Sequence, residues 1–214
     1  MLFRSRTSQT RAPGFAALLR PSLRGLAAKA WLLAALNMSA YWFTYSWLPA
    51  YLVTERHLSI AHSGLWVLTI VAGELVGYGS FGFLADRLGR RPVFTAFTLV
   101  MAAGLLMITI FWPLIADTPA LVLAFMLVVG VGTGSWSTFG PFFSELFSTE
   151  IRNTAVGTIF NLARGVQFFT PLIITAVAEH AALSTGISLA AGFSVAAGVW
   201  IWLLPETRGR RFSD

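Results

Sequence analysis

Between Ala30 and Leu204 the sequence holds six apolar runs, each close to the ~20 residues that a helix needs to cross the hydrocarbon core of a bilayer. They cover about Ala30–Val53, Ala61–Leu84, Pro92–Ile115, Pro119–Phe143, Asn153–Ala178 and Ala181–Leu204. Only two formal charges, Glu74 and Arg164, interrupt them. Composition agrees: 11% of the residues are charged, against about 25% in soluble domains. The expected fold is therefore an all-α membrane protein with six transmembrane helices. A basic arm (residues 1–28) precedes the membrane domain (29–204), and a short tail (205–214) follows it. The chain has no cysteine, so it carries no disulfide framework and no thiolate metal site.

The basic residues set an expected orientation. Thirteen of the fifteen Lys and Arg fall before the first run, in 87–91, at Arg152 or in 208–211. All of these lie on one side of the bilayer. Arg56 stands alone on the other side, and Arg164 lies inside. Cytoplasmic loops are enriched in Lys and Arg, so both termini are expected in the cytoplasm, with the chain in a plasma or inner membrane. The same placement accounts for a pI near 10.8 without any nucleic acid. The arm is Arg-rich and acid-poor, a composition shared with transit peptides. Its plainest reading is a cytoplasmic lead-in, in which Phe15–Arg24 can lie as an amphipathic helix on an anionic leaflet.

The loop between the second and third runs is the densest in signals. Gly82, Asp86, Arg87, Gly89, Arg90 and Arg91 crowd into ten residues. An ordinary positive-inside loop explains the arginines but not an aspartate set between two glycines. The order Gly-Phe-Leu-Ala-Asp-Arg-Leu-Gly-Arg-Arg resembles the signature loop of the major facilitator superfamily. Glu145 and Arg152 match the E-x6-R loop that follows the fourth helix of each six-helix half of that family. Pro205-Glu206-Thr207-Arg208-Gly209-Arg210 resembles the ending found after the twelfth helix of sugar and metabolite porters. Phe15–Arg24 followed by Trp47-Leu48-Pro49-Ala50-Tyr51-Leu52 looks like the central loop and seventh helix of metabolite–proton symporters.

The resemblance covers nearly the whole chain and matches the second half of that architecture. It implies a solute site at mid-membrane between two halves, and hence a complementary six-helix half or a second copy of this chain as partner. It also implies that Asp86 docks against the other half. Arg90, Arg91, Glu145, Glu150 and Arg152 are expected to form a gating and positioning network. As exposed pairs they would contribute only ~0–1 kcal/mol each.

Glu74 and Arg164 are the sharpest chemical signals, because a charge at the bilayer centre costs about 2.5–3.5 kcal/mol on insertion scales. By a rise of 1.5 Å per residue, each lies roughly 15 Å from one end of its own run, at a shared depth. A carboxyl group held away from water can take up and release a proton, which makes Glu74 the candidate proton-coupling residue. A guanidinium binds both oxygens of a carboxylate at once. Arg164 is accordingly the candidate substrate ligand, with Asn161 and Gln167 near it on the same run. That cluster resembles the eleventh helix of organic-anion symporters. The alternative is a structural Glu74–Arg164 ion pair.

In the first run Asn37, Tyr41 and Tyr45 recur every four residues, with Trp42 beside them. In the fourth, Trp136 lies near Thr133 and Ser137. These are candidate cavity residues, or else packing surface. Tyr51, Trp31 and Trp112 read as interfacial anchors. Gly73 with Gly77, and Gly130 with Gly134, form small-xxx-small pairs suited to close helix contact. His57, His62 and His180 do not make a metal set, and nothing in the sequence calls for a cofactor. No catalytic constellation or nucleotide-binding loop is present, so an enzyme is not expected. The expected function is secondary active transport of a small organic anion or related metabolite, coupled to protons. The competing expectation is a truncated, non-transporting remnant or an interaction subunit.

Overall fold

A computed structural model describes residues 14–209. The expectations placed on Arg4, Arg6 and Arg11 of the arm and on Arg210 and Arg211 of the tail lie outside those residues, as does the side chain of His62. Six long helical rods follow one another in antiparallel succession: α1 (Arg24–Thr54), α2 (Ile60–Leu88), α3 (Arg90–Ile108), α4 (Pro119–Leu146), α5 (Arg152–Val177) and α6 (Leu183–Leu203). Five of them, α2 to α6, are long and apolar enough to cross a membrane. The 31-residue α1 has the length, but its stripe of Asn37, Tyr41, Tyr45 and Ser46 makes it less apolar. Helix α3 packs between α4 and α6, α2 lies against α4, and α1 lies against α6 and α5.

Three differences from the sequence reading have local causes. Helix α3 stops at Ile108 rather than near Ile115, and a short 3-10 turn, Trp112–Leu114, follows. Pro113 lacks the N–H that would bond the Thr109 carbonyl, and its ring clashes with that carbonyl in a continuing helix; the Arg56 guanidinium bonds it instead. The arm folds as a 3-10 helix over Phe15–Leu19 only, with Ala17 and Leu18 buried. Tyr51 is not an interfacial anchor: it is fully buried, and its hydroxyl donates to the Ile108 carbonyl at 2.5 Å.

The α2–α4 seam is built on glycine. A Cβ on Gly73 would overlap the Leu127 carbonyl, and one on Gly130 would overlap the Ile70 carbonyl. The two small-xxx-small pairs therefore face each other, which lets the backbones touch.

Helices α4 and α5 each leave the α-helical ladder near mid-length, at Thr133–Thr138 and Gln167–Phe169. Pro141 and Pro171 explain the positions. Each ring clashes with the carbonyl four residues back, at Ser137 and Gln167, and each lacks the N–H that would bond it.

The apolar interior divides into two clusters. One holds Phe94, Phe142 and Phe143 near the Arg90 end. The other holds Phe43, Met126 and Ile187 toward the Glu55 end. Buried polar residues separate them at mid-height: Asn37 on α1, Thr98 on α3, Thr133 and Ser135 on α4, Gln167 on α5 and Ser194 on α6. Most of their hydrogen-bonding capacity is met internally. Ser135 donates to Asn37 at 3.1 Å, Ser194 to the Thr98 carbonyl at 2.9 Å, and Thr133 to the Gly130 carbonyl at 2.6 Å.

Replacing Gly130 by Val should force α2 and α4 apart at a cost of ~1–3 kcal/mol. Gly192→Ala, where nothing lies within 4 Å of the new Cβ, should be close to neutral. Thermal unfolding of the detergent-solubilised protein checks both.

Candidate functional site

Four helices contribute to one polar, aromatic face at the level of the buried polar belt. From α1, Tyr41 and Tyr45 stack with ring centroids 4.2 Å apart. The Tyr41 ring also meets the edge of Trp136 from α4 at 5.0 Å and lies 6.0 Å from Trp42. Trp136 in turn contacts Phe160 of α5 at 6.3 Å. The i, i+4 spacing of Tyr41 with Tyr45 and of Phe160 with Arg164 puts each pair on one face of its helix.

These side chains enclose two neighbouring cavities. The first, about 270 Å³, is lined by Met38, Tyr41, Trp42, Tyr78, Trp136, Phe160 and Arg164. The second, about 260 Å³, is lined by Trp42, Ser46, Arg164, Gln167, Thr170 and Pro171. Trp42 and Arg164 border both. Arg164 is exposed and makes no hydrogen bond or ion pair with the described residues. A guanidinium free to use its whole fork can receive a carboxylate from either chamber.

Glu74 sits on α2 behind this wall, close to the hydroxyls of Tyr41, Tyr45 and Tyr78. Its Oε1 is buried and has no hydrogen-bond partner, and the Tyr45 hydroxyl is equally unsatisfied. A buried acceptor left without a donor is costly, and the Tyr45 hydroxyl close to it is the protein's own candidate donor. Glu74 and Arg164 do not form the ion pair weighed from the sequence. The ion pairs among the described residues are those of Arg90 with Asp86 and Glu145.

The other sequence candidates take different places. Asn37 is buried and accepts from Ser135, leaving its Nδ2 without a partner. Gln167 is drawn into the packing of α1 against α5: its Nε2 donates to the Ala35 and Ala163 carbonyls, and its Oε1 accepts from Ser39 and Thr170. Asn161 is exposed, with its amide donating to the Gly157 carbonyl at 2.7 Å. Tyr78 and Phe160 line the first cavity and were missed in the sequence. The signal was available, because each lies four residues from a membrane-embedded charge.

The loop region forms a second cluster at the Arg90 end. Gly89 adopts φ 105, a left-handed value that suits glycine, and so turns α2 into α3. The Arg90 guanidinium donates to Asp86 at 2.5 Å and to Glu145 at 3.1 Å. Thr207 donates to the other Glu145 oxygen. The Arg90 and Glu145 side chains are each only 13% exposed, so this is a largely enclosed pair and not the surface pair expected. Asp86 is 69% exposed and, with Gly82, Thr138 and Arg90, borders a cavity of about 150 Å³.

Arg87 lies over the Phe83 ring at 3.9 Å and Arg91 over Trp202 at 5.9 Å. Arg152 holds the end of α4 through the Ser144 carbonyl at 2.8 Å, and also reaches Thr149. Glu150 is exposed and joins none of these hydrogen bonds.

Glu206 closes this end. Its carboxylate accepts from the backbone amides of Arg90 and Arg91, the first two residues of α3, both at 3.0 Å. It also accepts from the amides of Thr207 and Arg208. Burial favours the neutral acid, but these four amides outweigh it and hold the carboxyl below its ordinary value of 4.5. The positive end of the α3 dipole acts in the same direction.

A sequence profile described as Major Facilitator Superfamily matches residues 30–213. A putative metabolite transport protein of Haemophilus influenzae is 31% identical over 179 residues, which is 83% of this chain and 43% of that protein. A probable 4-methylmuconolactone transporter of Cupriavidus pinatubonensis is 29% identical over 76% of this chain and 37% of its own length. A cis,cis-muconate transport protein of Acinetobacter baylyi is 28% identical over 68% of this chain and 34% of its own length. The chain thus spans less than half the length of these relatives.

Because the folded-state pKa of Glu206 is depressed, its contribution is present above the ordinary glutamate range and is lost as pH falls through the lower, folded value. Unfolding temperature should therefore drop on acidification below about pH 4. Glu206→Gln should lower stability at neutral pH and flatten that dependence, as a pH series of thermal melts would read out.

Proposed function

Since this chain belongs to the major facilitator superfamily, we propose that it is one six-helix half of a secondary active transporter that carries a small organic anion together with protons. Its relatives are transport proteins, and the chain is a multi-pass membrane protein. The observation that carries the proposal is Arg164: an intramembrane guanidinium, partnerless within the half, shared by two cavities at the depth of the buried polar belt.

In this reading the solute carboxylate docks on Arg164, and the faces of Tyr41, Trp42 and Trp136 pack against its body. Asn37, Tyr45, Asn161 and Gln167 shape the surrounding polar wall. Glu74 carries the proton, since neutralising it removes the cost of a buried, unpartnered charge. The muconate and methylmuconolactone named for two relatives are consistent with an organic anion or its lactone.

A second six-helix half completes the site from the open side, whether on the same polypeptide, a separate chain or a second copy. Asp86 and Gly82, exposed beside their cavity, suit contact with it. Arg90, Glu145 and Thr207 then tie the ends of α2, α4 and the tail into one unit that moves together, with Arg152 fixing the α4–α5 turn. The basic end of the bundle faces the cytoplasm, following the bias of Lys and Arg.

Uptake into proteoliposomes, driven by an imposed proton gradient and assayed with small mono- and dicarboxylates, is the test. Arg164→Ala should lower uptake at least roughly thirtyfold, the effect of truncating one member of an enclosed charge pair, with partial recovery in Arg164→Lys. Glu74→Gln should keep solute exchange but lose acceleration by the gradient. Normal uptake in Arg164→Ala, or gradient-driven uptake in Glu74→Gln, would contradict the assigned role. A folded protein that moves no carboxylate, even when completed by a second half, would favour a non-transporting remnant or interaction subunit.

A further inference from the structure

A third cavity, of about 190 Å³, lies between the arm, α1 and α5 at the basic end of the bundle, and the transport reading does not use it. Its walls are Phe15, Leu18 and Leu19 of the arm, Ala27, Ala28 and Trp31 of α1, and Thr158, Ile159 and Leu162 of α5, with Arg24 at the rim. It is not an extension of the solute site. At 3.6 residues per turn, Thr158 and Leu162 project roughly 160–200° away from Phe160, which lines the first cavity. The groove opens beside Leu162 of α5, which is exposed.

We propose that this groove binds one anionic phospholipid, with an acyl chain along Ala27, Ala28, Trp31 and Leu162 and the headgroup phosphate on Arg20 and Arg24. Three observations converge. First, charge is of one sign: from Met1 to Thr54 the chain has six basic residues and no acid. The Arg20 and Arg24 side chains are exposed and form no hydrogen bond or ion pair with the described residues.

Second, the depths fit. Trp31 lies seven residues beyond Arg24, about 10 Å along the helix, which separates a headgroup site from the start of the acyl region. Phe15 and Leu19, 52% and 60% exposed, sit at the same end as the cations, in the pattern of a segment lying in the interface. Third, the lining is almost entirely apolar, from Leu18, Leu19 and Trp31 to Ile159 and Leu162, a surface that an acyl chain covers.

The test uses the purified, delipidated chain in neutral detergent, with phosphatidylglycerol, phosphatidylcholine or inorganic phosphate added separately. Native mass spectrometry counts retained lipid, and thermal melting reads its effect. One phosphatidylglycerol should be retained, with a higher melting temperature than phosphatidylcholine gives at equal concentration. The double substitution Arg20→Ala/Arg24→Ala should weaken phosphatidylglycerol binding roughly thirtyfold and leave phosphatidylcholine unchanged. Ala28→Trp, which fills the groove, should abolish retention of either lipid while helicity is kept. Equal retention of the two lipids, or phosphatidylglycerol binding untouched by the arginine substitutions, would overturn the proposal. So would a melting shift reproduced in full by inorganic phosphate, which would leave the acyl groove without a role. These readouts are independent of transport, so failure of the proton-coupled reading leaves the lipid site standing, and the reverse.

Discussion

Hydrocarbon offers no hydrogen-bond partner, so every polar group carried into it must be met by the protein, by enclosed water or by a ligand. The six helices meet their backbone groups internally, and the side chains follow the same rule with a few local exceptions. The interior consists of two apolar clusters, one toward each end, with a belt of buried Asn, Gln, Ser and Thr residues between them. Some of the exceptions lie near that belt, and others lie on Trp31, Thr138, Arg90 and Arg91. Glu74 Oε1, Tyr45 Oη and Asn37 Nδ2 are buried without partners, and the Arg164 side chain pairs with none of the described residues. Polar groups left open in the middle stretch of the bundle, on α1, α2 and α5, mark where the fold leaves room for something other than itself.

The ends of the bundle are fixed by carboxylates and guanidiniums placed at helix termini. At the basic end Glu206 takes the first amides of α3, and Arg90 gathers Asp86 and Glu145. At the opposite end Glu55 accepts from the Ser184 amide at the start of α6. There Arg56 donates to the Tyr51 hydroxyl at 2.6 Å and to the Thr109 carbonyl at the end of α3. It also stacks over Tyr51 and Trp112. Helix termini expose unpaired amides and carbonyls, and here the charged residues satisfy them. The mid-length 3-10 segments of α4 and α5, set by Pro141 and Pro171, contrast with these fixed ends and lie beside the cavities.

Much of this was legible in the sequence, because a bilayer allows so few solutions. Run length gave the helices, glycine spacing gave the α2–α4 seam, and the rarity of intramembrane charge singled out Glu74 and Arg164. The less legible parts depend on contacts between distant segments. Nothing local distinguishes Glu206 as the cap of a helix that begins 116 residues earlier. Gln167 carries the same chemistry as a solute ligand and is instead consumed by the packing of α1 on α5. Tyr51 looked like an interface residue because proximity to a span end says nothing about which face it occupies. Tyr78 and Phe160 could have been found from helical spacing to the two charges, but an isolated aromatic in an apolar run is usually packing.

The central claim is that the face bearing Tyr41, Tyr78, Trp136, Phe160 and Arg164 borders an aqueous solute pathway. The natural absence of cysteine allows a direct measurement. Single substitutions Tyr41→Cys, Tyr78→Cys and Phe160→Cys are compared with Leu68→Cys and Leu172→Cys on the exposed apolar faces of α2 and α5, using a small charged thiol reagent in membranes. The account predicts labelling at the first three positions, slowed by a transported carboxylate, and none at the two leucine positions. Unreactive cavity positions, or labelling of the leucine positions instead, would contradict it.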